Sequence, residues 1–301
     1  MKVLIWVITV DIKFLDSAIK ILEQQNYGTE IIGVTAAKEV LLQRDGRKIK
    51  FITFSEVKWI NFNILLVVGA GKLRMGRITQ FARQLNFPEE KLLCDWIVRL
   101  PGFTLEKYRR LQRSHLSIFS MNCFGGLISG MVGLPFLSPL IDMFFKERDY
   151  LRFLSSPRVY MEKELVLKEI RYDNIVKINY PVVTLSDFDI HMNHYKTFEA
   201  AVDKWNERKQ RINWYNLFVM AYTDNKDFLE QFDALPYGKK VCFVSFKSDL
   251  DSAWYINPEI DFDRMEEGFH DVVNNFSRGK YIYYDPFDML LYGKKTPLID
   301  M

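Results

Sequence analysis

Two stretches of this 301-residue chain gather the side chains that could do chemistry. One runs from Ser117 to Asp142 around Asn122-Cys123-Phe124-Gly125-Gly126. The other, Ser186 to Tyr215, carries His191 and His194, two of the four histidines, followed by Tyr195, Lys204, Trp205, Arg208, Lys209 and Arg211. Cys123 follows a short strand-like segment and precedes two glycines and a helical run. A thiol at a helix N-terminus has a lowered pKa and becomes a nucleophile. With His194 as base, the chemistry would be acyl transfer. Asn122, or the N–H groups of Gly125 and Gly126, would hold the oxyanion. The plainer reading is a small buried cysteine acting as an apolar group.

Apolar and charged residues alternate from Phe188 to Asn193, which predicts a half-exposed strand. His191 then shares a face with Asp187, Asp189 and Asn193, and His194 falls on the other side. Metal ligation by the pair is disfavoured, and no metal site is expected. His194, beside Tyr195 at the strand end, is the candidate acid or base; a structural histidine is the alternative. Thr197 is placed to cap the next helix. On that helix Phe198, Ala201, Val202, Trp205 and Ile212 form one apolar stripe, with Lys209 inside it and Arg208 at its edge. Aromatic faces stack sugars, and guanidinium forks hold phosphates or carboxylates. Trp205, Tyr195, Lys204, Arg208, Lys209 and Arg211 are therefore candidate ligand-binding residues. A core tryptophan with solvated basic neighbours fits the same pattern.

A third candidate is Gly69-Ala70-Gly71-Lys72, which would cradle a phosphate at the start of a helix. Lys72 is followed by leucine rather than serine or threonine, so it is not a P-loop. A tight strand-to-helix turn is the competing reading.

The elements that must position these groups read as an α/β chain. Apolar runs at 3–10, 30–35, 51–54, 63–68 and 92–95 alternate with helical segments at 14–25 and from 72 to about 85. This predicts a Rossmann-like parallel sheet over residues 1–103. A dinucleotide site needs glycines directly after the first strand and an acidic residue after the second. The chain has Thr9-Val10-Asp11-Ile12 and Thr35-Ala36-Ala37 there, so no cofactor is expected. A basic helical linker, Leu105–Arg113, leads into a second α/β domain, 104–301. Strands are expected there at 117–121, 188–193, 214–221 and 241–246. Helices are expected at 127–132, 226–231 and 262–276, with an amphipathic segment at 142–154.

The charge-free stretch Leu116 to Ile141 is long enough to cross a bilayer. Its glycines and prolines break it into a strand, a turn, a short helix and a loop, so a buried segment is expected. The N-terminus lacks a small-residue cleavage site and reads as a strand rather than a signal peptide. Net charge is only +3, which demands no nucleic acid. Residues 1–103 hold 15 Lys and Arg against 10 Asp and Glu, and the remainder 26 against 28. That mild basicity suits a phosphate-bearing small molecule. Three widely spaced cysteines give neither a disulfide framework nor a zinc pattern, and fit the reducing cytoplasm.

Several motifs occur in a fixed order: Ser120-Met-Asn-Cys-Phe-Gly-Gly, Gly133-Leu-Pro-Phe-Leu-Ser-Pro, Asp149-Tyr-Leu-Arg-Phe-Leu, Tyr180-Pro-Val, His194-Tyr-Lys-Thr-Phe-Glu-Ala-Ala, Lys204-Trp-Asn-Glu-Arg-Lys-Gln-Arg-Ile-Asn-Trp and Phe232-Asp-Ala-Leu-Pro-Tyr. As a set, over residues 105–246, they resemble the bacterial family known as domain of unknown function 1919, often labelled exopolysaccharide biosynthesis protein. The resemblance implies a role near capsule or surface-polysaccharide assembly; apart from it, no transmembrane segment is expected, and contact at the membrane periphery is left open. It assigns no reaction and no catalytic residues. Two expectations follow. One is a transferase acting on a sugar, nucleotide-sugar or glycan intermediate. The other is a non-catalytic protein binding the same class of ligand.

Overall fold

A computed structural model describes residues 1–9, 11–71, 73, 75–174, 177–257 and 269–298. The chain folds as two compact units, Met1–Arg109 and Arg110–Met301. Both are mixed α/β, each around a parallel sheet.

The first unit contains β1 (Lys2–Val7), α1 (Leu15–Gln25), β2 (Glu30–Ala36), a small hairpin of β3 (Gln43–Arg44) and β4 (Arg47–Lys48), β5 (Ile64–Val68), α2 (Met75–Gln84), β6 (Leu92–Cys94) and α3 (Asp95–Val98). The sheet order is β2-β1-β5-β6, all parallel. Val3 to Val7 and Ile64 to Val68 are buried throughout, as parallel strands covered on both faces must be. Phe51–Phe54 does not form the expected strand. Phe51 makes a single bridge to Val34, and the chain then turns where the Thr53 N–H and hydroxyl both donate to the Glu56 carboxylate, at 2.7 Å each. The order of connection reverses between β1 and β5, the place where such sheets bind ligands. Here Gly69 follows β5 at φ 68, and a Cβ on it would lie 2.4 Å from the Thr9 carbonyl oxygen. The Thr9 hydroxyl donates to the Gly69 carbonyl at 2.7 Å, tying the two loops together.

Helix α4 (Leu105–Arg113) carries the chain into the second unit. That unit contains β7 (Ser117–Ser120), α5 (Phe124–Val132), α6 (Glu147–Ser155), α7 (Pro157–Met161), β8 (Leu165–Asp173), β9 (Ile178–Leu185), β10 (Phe188–His191), α8 (Phe198–Lys209), β11 (Leu217–Thr223), α9 (Lys226–Asp233), β12 (Lys240–Val244), β13 (Ala253–Tyr255), α10 (Phe269–Ser277) and α11 (Pro286–Tyr292). Its main sheet is parallel, ordered β13-β12-β11-β7. Strand alternation splits its side chains between two faces. Phe119, Val219, Ala221 and Val244 join Tyr150, Phe153, Trp205, Phe228 and Phe232 in one core. Phe243 packs with Phe124, Phe276 and Trp254 in another. Between β7 and β11 the chain inserts an antiparallel meander, β10-β9-β8.

Two sequence expectations change here. The helix expected from Leu127 begins at Phe124 and takes Gly125 and Gly126 into its first turn. They are glycines because of close approach. A Cβ on Gly125 would sit 2.7 Å from Ser120 Oγ, and one on Gly126 would sit 3.1 Å from Ile141 Cγ2. The strand expected to reach Asn193 ends at His191. The helix expected at 262–276 is described only as α10; residues 262–268 lie outside the described residues. Among the described residues no helix is long and apolar enough to cross a membrane.

Candidate functional site

The carboxyl ends of β7 and β11 bring together the residues of the first motif and part of the second. Ser120, at the end of β7, donates through Oγ to the Asn122 carbonyl at 2.7 Å and accepts the Gly125 N–H at 3.0 Å. Asn122 is buried. Its Oδ1 accepts the Phe124 N–H at 3.0 Å, and its Nδ2 donates to Asn274 Oδ1 on α10 at 3.3 Å. Two N–H groups of the α5 N-terminus are thus held by protein oxygens. The expected oxyanion role of Asn122 and the Gly125 N–H is corrected: both are already hydrogen-bonded within the protein. The chain of polar groups continues, with Asn274 Nδ2 lying 3.0 and 3.3 Å from the two His270 ring nitrogens. The His270 ring lies 5.7 Å from that of Tyr222 on β11. Ser120, Asn274 and His270 were not singled out from sequence. Asn274 stands 152 positions from Asn122, and no local motif marks Asn274 or His270.

Cys123 departs from the expectation of a lowered thiol pKa. Burial pushes the thiol up to about 12, Asp142 adds to the rise, and Arg278 opposes it. Desolvation outweighs the partial positive charge of the helix end. The thiol stays protonated and is a poor nucleophile at neutral pH.

Tyr195 and Arg208 do reach this neighbourhood. The Tyr195 hydroxyl donates to the Ile141 carbonyl at 3.0 Å and accepts from Arg208 Nη1 at 2.8 Å. Burial pushes it up to about 12, against the pull of Arg208, and Asp142 adds to the rise. Tyr222 is likewise raised to about 12, by burial first, then by Glu147 and Cys123. Arg208 is half-buried, its guanidinium 5.6 Å from the Phe136 ring centroid. Among the described residues it forms no ion pair with a carboxylate.

The remaining candidates go elsewhere. His194 is exposed on a turn, its Nε2 3.5 Å from Asn193 Nδ2. No hydrogen bond joins it to Cys123 among the described residues. His191 is buried, stacked on Phe144 with ring centroids 4.3 Å apart, and its Nδ1 lies 3.3 Å from the Tyr180 hydroxyl. Burial lowers its pKa to about 4, so it is a neutral core histidine. Trp205 is 1% exposed, which corrects the expectation of a sugar-stacking face. Lys209 lays its stem along the core and donates to the Met161 carbonyl at 3.2 Å. Lys204 and Arg211 both pair with Glu207 on the solvent side. Gly126 packs against Ile141. Gly69 and Gly71 form a left-handed turn at φ 68 and 58; Lys72 and Arg74 lie outside the described residues. Among the described residues no group of three His, Cys, Asp or Glu could hold a metal ion.

Three comparisons bear on identity. An uncharacterized protein of Haemophilus influenzae is 31% identical over 189 residues, which is 60% of this chain and 84% of the relative. The crystal structure of aspartate semialdehyde dehydrogenase II complexed with ASA, from Vibrio cholerae, aligns over 73% of this chain and 68% of that one. Its identity is 8% and its TM-score 0.24, too low to carry an argument. The profile of the family described as Domain of unknown function (DUF1919) matches residues 98–292, a wider span than the motifs alone cover. The chain therefore belongs to the Domain of unknown function (DUF1919) family.

Proposed function

We propose that this protein binds an anionic sugar intermediate, a sugar phosphate or nucleotide sugar, in cytoplasmic steps of surface-polysaccharide assembly. The ligand would lie at the carboxyl end of the second sheet, its anion on Arg208 beside the Tyr195 hydroxyl. The supporting observation is the half-buried Arg208 guanidinium, which donates to the Tyr195 hydroxyl and forms no ion pair with a carboxylate among the described residues. A partly desolvated cation without a counter-charge is costly, and an anionic ligand removes that cost. Carboxyl ends of parallel strands are also where open α/β sheets take ligands. The polysaccharide pathway rests on the family resemblance alone. The test is calorimetric titration of UDP-glucose into the protein. Binding that falls at least about tenfold in Arg208→Gln supports the reading, the scale expected for losing a charged hydrogen bond. Unchanged binding in Arg208→Gln removes it.

A transferase reading has one specific support, the chain Asn122–Asn274–His270, whose imidazole lies 5.7 Å from the Tyr222 ring. In that reading His270 is the acid or base, in place of His194. It requires UDP release from UDP-glucose that His270→Gln abolishes.

A further inference from the structure

At the opposite end of the same sheet, where β11 and β12 begin, lies a cavity of about 510 Å³. Its lining includes Arg158, Trp214, Tyr215, Asn216, Tyr237 and Lys239, and no carboxylate. The volume falls in the range of small-molecule sites. The walls are fixed by contacts away from the cavity. Trp214 meets the Phe119 ring edge-on at 5.8 Å, the Tyr237 hydroxyl donates to the Leu154 carbonyl at 2.6 Å, and Asn216 Nδ2 donates to the Ser114 carbonyl at 2.8 Å.

Among the described residues neither cation pairs with a carboxylate. Half-buried Lys239 donates to Asn216 Oδ1, a neutral acceptor, and burial lowers its pKa with nothing opposing. Arg158 sits on the Trp214 ring, 4.4 Å from the centroid, with no carboxylate partner among the described residues. A guanidinium held by a ring face through a cation–π contact spends no N–H donor on it, which leaves those donors for an anion. Tyr215, on the same lining, is 99% exposed, a free aromatic face.

We propose that this cavity is a second ligand site, for a phosphorylated ring compound. Lys239 and Arg158 take the phosphate, and the ring lies against Tyr215. The ring can come from a sugar phosphate or from a nucleoside phosphate. Neither cation is a ligand of the Arg208 site, so the two sites stand or fall separately.

The test is calorimetric titration of the full chain carrying Arg208→Gln, which disables the first site, with glucose 1-phosphate and with UMP, against inorganic phosphate. The expected result is saturable binding of at least one ring compound, tighter than inorganic phosphate. In that background Lys239→Met and Arg158→Gln should each weaken it about tenfold, as loss of a charge-assisted contact does. Binding of UMP alone assigns a nucleoside phosphate, and binding of glucose 1-phosphate alone a sugar phosphate. Inorganic phosphate binding as tightly as both compounds overturns the ring. Binding that survives both substitutions, or no saturable binding of either compound, overturns the site.

Discussion

The two ends of the second sheet treat their polar groups in opposite ways. At the carboxyl end Ser120, Asn122 and Asn274 bond to one another and to the start of α5. Arg208 donates to its tyrosine and, among the described residues, forms no ion pair with a carboxylate. At the amino end Lys239 and Arg158 face an open cavity without a carboxylate. The carboxyl end carries the motif that looks chemical in sequence; the amino end looks like ordinary strand starts. Residue type in a motif says what a group can do. Its existing partners decide whether it is available to do it.

The sharpest way to break the comparison is at Trp205, assigned here to the core. Trp205→Ala should cost about 3–5 kcal/mol in denaturant unfolding. A small stability loss with a large loss of UDP-glucose binding would return it to a stacking surface. Next is Asn122, whose amide is structural in this account. Asn122→Ala removes the acceptor of the buried Phe124 N–H and the donor to Asn274 Oδ1, at about 1–3 kcal/mol each at most. An unchanged unfolding midpoint would free Asn122 for a ligand.

Cys123 tests the same end by pH. Its raised pKa leaves the thiolate scarce at neutrality and growing as pH rises toward about 12. Iodoacetamide labelling of the native protein should therefore stay slow at pH 7–8 and accelerate without a plateau to about pH 10. A plateau near neutrality would restore the nucleophile. The smallest effect is at Arg211, paired with Glu207 in solvent. Arg211→Ala should leave the melting midpoint and UDP-glucose affinity unchanged, because exposed pairs contribute little.

Much of the fold was legible because burial writes itself into sequence. The runs at 3–7 and 64–68 are parallel core strands, and Thr197 caps α8 by accepting the Ala200 N–H at 3.2 Å. Strand β8 was not legible. Its residues from Val166 to Tyr172 are exposed, so no buried face imposes alternation. Gly125-Gly126 read as a turn because glycine permits one, whereas the actual constraint is contact with Ser120 and Ile141. The three cations around residues 208–211 look equivalent in sequence. Tertiary neighbours separate them: Tyr195 for Arg208, the Met161 carbonyl for Lys209 and Glu207 for Arg211. None of those partners is fixed by helical spacing except the last. The cavity at the amino end was invisible for the same reason, since Arg158, Trp214 and Lys239 come from three separate segments.

The central claim, that Arg208 binds an anion without covalent chemistry at Cys123, is tested most directly by one calorimetric experiment. UDP-glucose is titrated into the parent protein, Arg208→Gln and Cys123→Ser. The account predicts saturable binding that Cys123→Ser retains and Arg208→Gln loses by about tenfold or more. Retention in Arg208→Gln, or loss confined to Cys123→Ser, would contradict it.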